Sequence, residues 1–185
     1  MIRFLVTILV VFSVYIGSRG QTFNNADTLK SSYISQYEKL RNLAFSIQYT
    51  DLHLELPLDT IIVYGTIMDW RVEENVATVI ALSTGDASVY LKSGQIFVGG
   101  YAHDKIAVLA KSIVRNSQVL IPKTVPFIDN EYPEKHSVKF YLLTNRGILV
   151  HGESENSIKD IHNEWSKLFK SGNMIINDFR LLSNP

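Results

Sequence analysis

Five histidines and eighteen acidic residues are the chain's stock for acid–base or metal chemistry, and two short patterns bring the two types together. His53-Leu54-Glu55 and His151-Gly152-Glu153 each set an imidazole and a carboxylate two residues apart, which on a strand places both on one face. A zinc site needs three or four converging ligands, and the chain has no HExxH or similar helical pair. Both pairs therefore read as surface residues, and no metal ligand is assigned. The absence of cysteine excludes thiolate metal sites and disulfides outright.

Nucleophilic chemistry has little more to work with. A serine on a strand-to-helix elbow would stand in a GxSxG run, and none exists. Ser88 follows Gly85-Asp86-Ala87 at the start of a strand, where an outward-facing serine is expected. Asp69 and Asp86 border central strands and could meet at one sheet end as a carboxylate pair. Turn and capping duties are the commoner use of aspartate in such places. The glycines between Gly94 and Gly100 fit neither GxxxxGK[ST] nor GxGxxG, so no phosphate cradle is expected. No catalytic residue and no cofactor is assigned.

Binding is the remaining class. Trp70, Tyr90, Phe97 and Tyr101 cluster in or beside residues 76–100, and any exposed members would be interface anchors. Packing within the fold is the competing use. A second place to meet a partner is the loop over 122–137, which carries Pro122, Pro126 and Pro133 and shows no periodicity.

The elements that must position these residues follow from hydrophobic period. Leu29, Tyr33, Tyr37, Leu40 and Ala44 recur at helical spacing, which predicts a helix over 28–43 capped by Asp27, with 21–27 as a polar lead-in. Residues 45–58 read as an edge strand or an extended connection. Strands follow over 60–70, 76–82, 87–91 and 96–98, joined by turns at Gly85 and Gly94. Ile106, Leu109, Ala110, Ile113 and Val114 then mark a one-sided helix over 103–117. Asn145-Arg146-Gly147 joins strands over 138–144 and 148–150 as a hairpin. Ser154 caps a last helix with the stripe Ile158, Ile161, Trp165, Leu168 and Phe169, and Gly172 is its natural stop. The apolar tail beyond Gly172 is expected to fold back onto the domain. Tight turns demand antiparallel pairing. The expectation is an α+β fold in one two-layer domain. It has an antiparallel sheet of about five strands with helices on one face, in the order α-β-β-β-α-β-β-α. Profilin-like, roadblock and longin-type domains share this kind of layout.

The address is written at the N-terminus. Arg3 precedes an uncharged, mostly apolar run over 4–17, and Ser18-Arg19-Gly20 offers small residues for a cut before Gln21. This is a secretory signal peptide pattern, and the run is shorter than the roughly 20 residues that cross a bilayer. Residues 1–20 are thus expected to be removed and 21–185 to form the domain, secreted or periplasmic. The alternative is an uncleaved N-terminal anchor. Eighteen basic residues balance eighteen acidic ones, without the basic excess of a nucleic-acid footprint.

The blocks Gly65-Thr66-Ile67-Met68-Asp69-Trp70, Gly85-Asp86-Ala87-Ser88-Val89-Tyr90 and Phe140-Tyr141-Leu142-Leu143-Thr144 resemble those of uncharacterised bacterial α+β proteins. That resemblance spans about 60–147 and implies a fold but no catalytic residue. The functional expectation is an exported, non-catalytic module that binds another protein or itself. It should not bind nucleic acid or stay inserted in a membrane once the signal is cleaved. The sequence names no small-molecule ligand. The alternatives are a small hydrolase or metal-dependent enzyme, and an exported inhibitor or immunity-type protein.

Overall fold

The structure is a computed structural model describing residues 25–183, so the expected signal peptide and its cleavage point lie outside the described residues. Its centre is Val63–Val72 (β1), which is buried along its first seven residues. A strand whose consecutive side chains are all buried must be covered on both faces. That condition sets the architecture.

Asn75–Leu82 (β2) pairs antiparallel with one side of β1, Asp69 lying opposite Thr78. Ser137–Thr144 (β6) pairs with the other, Asp69 opposite Lys139. Ala87–Leu91 (β3) and Ile96–Phe97 (β4) extend the sheet beyond β2. Gly147–Ser154 (β7) and Val125–Pro126 (β5) extend it beyond β6. The result is one open antiparallel sheet of seven strands in the order β4-β3-β2-β1-β6-β7-β5. Both outermost strands are two residues long, and one of them contains Pro126, a combination that blunts edge-to-edge pairing.

The helices occupy both faces. Asp104–Gln118 (α2) and Ser166–Ser183 (α4) pack side by side on one face, over Met68, Val79, Val89, Phe140 and Leu142. Asn25–Ser46 (α1) lies on the other with residues 47–56, over Ile67, Ile80, Tyr141 and Leu143. A register shift between Val63 and Gly65 inserts one residue into β1. Val63 and Met68, five apart, therefore reach the same face.

The α+β class and the antiparallel sheet are as expected, and several details are corrected. The sheet has seven strands because residues 96–97 and 125–126 each add a short edge. Helices cover two faces because the second face is apolar as well, carrying Ile67, Ile80, Tyr141 and Leu143, and needs α1 to bury it. Residues 45–58 form no strand; their turns lay Ile47, Tyr49, Leu52, Leu54 and Leu56 against the α1-side core. The 122–137 loop is partly ordered, with a 3-10 turn (Ile121–Lys123) leading into β5. The last helix is two: Glu155–Lys159 (α3), capped by Ser154 as expected, and α4.

Gly172 does not stop a helix; it lies inside α4. A Cβ there would fall 2.5 Å from Met68 Cε and 2.8 Å from its sulfur, so the glycine lets α4 sit close on β1. The expected tail is the second half of α4, burying Ile175, Ile176 and Phe179.

Candidate functional site

The stripe of α1 is longer than the surface it covers. Tyr37, Arg41 and Ala44 are buried, whereas Leu29 and Tyr33, two turns and one turn before Tyr37 on the same face, are 53% and 43% exposed. The first half of the helix overhangs the turns at the ends of β1–β2 and β3–β4. Beneath it runs an open groove of about 730 Å³, lined by Leu29, Tyr33 and Ile34 with Lys30, Glu74 and Lys92. Gly94, next to the lining residue Ser93, has φ of 109°, and a Cβ there would stand 2.9 Å from Tyr33 Cγ. Only glycine takes that turn and leaves room for the ring. Lys92 Nζ lies 4.6 Å from the Tyr132 ring centroid. Glu74 meets Lys135 at 2.6 Å, and that hydrogen bond and charge hold its carboxyl below the ordinary range.

Behind the groove the same helix is anchored by a buried polar network. Arg41 Nε and Nη2 donate to Asp69 Oδ2 at 2.8 and 2.6 Å, and Thr78 Oγ1 donates to Oδ1 at 2.6 Å. Tyr37 shares a 2.8 Å hydrogen bond with the same threonine hydroxyl. The guanidinium is held between the rings of Phe45 and Tyr132, 5.0 and 4.7 Å from their centroids. Burial alone would lower the Arg41 pKa; the Asp69 carboxylate more than reverses this and keeps it raised. Every partner is engaged within the protein, so this constellation is an anchor and offers no free acid or base.

The two His-x-Glu patterns part company. His151 and Glu153 do share a face of β7, with Nε2 2.9 Å from Oε1, and the imidazole stacks on Trp165 at 4.2 Å. Burial would raise the Glu153 pKa, but hydrogen bonds from Ser157, His151 and Asn163 bring it below the ordinary value. His53 stands in a left-handed turn, φ 55°, not on a strand. His103 precedes α2 and His162 lies between α3 and α4, both exposed. Among the described residues no three His, Asp or Glu side chains are placed to hold a metal.

The aspartate pair does not form. Asp69 is in mid-strand facing α1. Asp86 lies at the β2–β3 turn, where Oδ1 accepts the amides of Ala87 and Tyr101. Burial pushes the Asp86 carboxyl up, and those two amides pull the other way. Ser88 is half-buried in β3.

The four aromatic anchor residues do not make one surface. Trp70 packs edge-on against Phe169 and Phe97 stacks on Phe179, both under α4. Tyr90 is half-buried on the α1 side, and Tyr101 alone is widely exposed, at 58%. In the sequence Leu29 and Tyr33 stand out only as members of the helical stripe, and Glu74 and Lys92 only as turn residues. The available signal was a helical stripe of five members, about 22 Å long from Leu29 to Ala44, laid across strands about 4.8 Å apart.

A scan against protein-family models, a search of curated proteins and a search of solved structures each found no match for this chain. None of the described helices is long and apolar enough to cross a membrane.

Proposed function

We propose that the chain is an exported, non-catalytic module that works by protein–protein contact, with another protein or with itself. Its contact surface is the overhanging half of α1 and the groove beneath. One observation carries this reading: Leu29 and Tyr33 continue the buried stripe of α1 into solvent. Apolar side chains rimmed by charge are the usual form of a contact patch. Export rests on the N-terminal pattern alone. The hydrolase and metal-enzyme reading has less support, because Asp69 is fully engaged by Arg41 and Thr78 and Asp86 by two amides. An inhibitor or immunity-type role would use the same kind of surface.

The test is a Leu29→Glu/Tyr33→Glu variant compared with the unaltered protein by melting temperature, concentration-dependent light scattering and partner capture. An unchanged melting temperature with loss of self-association, or of a captured partner, supports the reading. A variant that unfolds shows the stripe to be part of the fold, and one that associates and captures normally removes this surface from consideration.

A further inference from the structure

His136 is the one imidazole whose two nitrogens both meet carboxylates among the hydrogen bonds of the described residues. Nε2 lies 2.8 Å from Glu73 Oε1, in the β1–β2 turn, and Nδ1 lies 3.2 Å from Glu155 Oε2, in the first turn of α3. The Glu155 amide also donates to the His136 carbonyl at 2.7 Å. A neutral imidazole has only one N–H, so its other nitrogen would turn a lone pair towards a carboxylate oxygen. Both contacts are favourable only when the ring is charged. His136 and Glu73 also hold left-handed backbone, φ 55° and 51°, a conformation uncommon for residues other than glycine. Non-glycine residues keep such conformations where the surroundings over-determine them.

We propose that His136 is a pH-operated latch that ties the β1–β2 turn to the start of α3. Its carboxylate partners are Glu73 and Glu155. Around them Lys135 meets Glu73 at 3.6 Å and Glu74 at 2.6 Å, Lys159 meets Glu155 at 2.8 Å, and Arg71 meets Glu74 at 3.6 Å. Hydrogen bonds to Glu73 and Glu155 hold the His136 pKa above its ordinary 6.5, and those to His136 and the neighbouring lysines hold both carboxyls below 4.5. A raised histidine pKa contributes stability that is complete below 6.5 and lost as pH rises through the raised value. The lowered carboxyls contribute above 4.5 and lose their part as pH falls through the lowered values. The latch is closed from about 4.5 up to 6.5 and opens on the alkaline side. Glu74, on the same turn, lines the α1 groove, so the latch holds the turn that carries one wall of that groove.

The experiment is a histidine side-chain NMR titration of the whole protein, paired with amide hydrogen exchange in 72–75 and 155–159 on either side of the histidine transition, corrected for intrinsic rates. His136 should titrate above 6.5, and Glu73→Gln and Glu155→Gln should each bring it down. Protection of both segments should fall at high pH, by ten raised to the pKa displacement, since each unit is a tenfold change in the opening equilibrium. His136→Gln should remove the pH dependence and leave the segments at their high-pH protection. A His136 pKa at or below 6.5 would overturn the latch. So would protection that does not change through the transition, or that changes equally in His136→Gln. None of these readouts depends on whether the groove binds a protein.

Discussion

Asp69 has no exposed surface and sits in the middle strand, so its charge has to be met inside the protein. Arg41, 4% exposed, supplies the counter-charge, and Thr78 uses its hydroxyl proton on the second oxygen. Removing one member of a buried pair leaves the other uncompensated, whereas replacing both by apolar groups of similar size removes the penalty with the attraction. Arg41→Ala should therefore cost about 3–5 kcal/mol in urea unfolding, and Asp69→Leu a similar amount. Arg41→Met/Asp69→Leu together should recover most of the loss, a coupling that a double-mutant cycle reads directly. If the two single losses simply add, the pair is not the anchor of α1. Thr78→Val orphans one oxygen of Asp69 and should cost about 1–3 kcal/mol.

Helix α4 shows how one residue decides what an element becomes. Gly172 reads as a stop, yet the helix passes through it because Ile175, Ile176 and Phe179 continue the buried face and Met68 fills the space a Cβ would take. Alanine is a better helix former than glycine by about 1 kcal/mol. Overpacking a buried site costs about 1–3 kcal/mol. The apolar cavity that Gly172 and Met68 share holds about 10 Å³, too little to take up the displaced thioether. Gly172→Ala should thus be destabilising in the native background and stabilising by about 1 kcal/mol in Met68→Ala. The same sign in both backgrounds would show that Met68 is not what excludes the side chain. In the sequence, Leu168, Phe169, Ile175, Ile176 and Phe179 carried the helical period, but the glycine at position 172 masked its continuity. Helix α2 had no such interruption, and its stripe of Ile106, Ala110, Ile113 and Val114 is buried as its period indicates.

The molecule as a whole buries more phenol than it exposes on the α1 side. Burial raises the pKa values of Tyr37, Tyr64, Tyr90, Tyr132 and Tyr141, with the Asp69 charge adding to the effect at Tyr37 and Tyr141. Tyr64, whose hydroxyl donates to the Ile47 carbonyl at 2.7 Å, is pushed up to about 12. A folded-state pKa above the unfolded 10 gives stability that is complete below pH 10 and lost as pH climbs through the raised values. Alkaline unfolding between pH 10 and about 12 should coincide with the tyrosinate absorbance of these buried phenols as one transition. Tyr64→Phe should reduce the steepness of that transition; phenols ionising well before the fold is lost would contradict their burial. The sequence by itself determined the α+β class, the antiparallel meander from β1 to β4, the hairpin at Asn145 and the one-sided α2, because period and turn chemistry act over a few neighbouring residues. Tertiary structure alone decided that α1 lies across the opposite face from α2 and α4, that Arg41 finds Asp69 across 28 residues, and that His136 joins Glu73 to Glu155. It also decided that Leu29 and Tyr33 overhang, since exposure on a helical stripe depends on where the sheet ends, which no local pattern encodes.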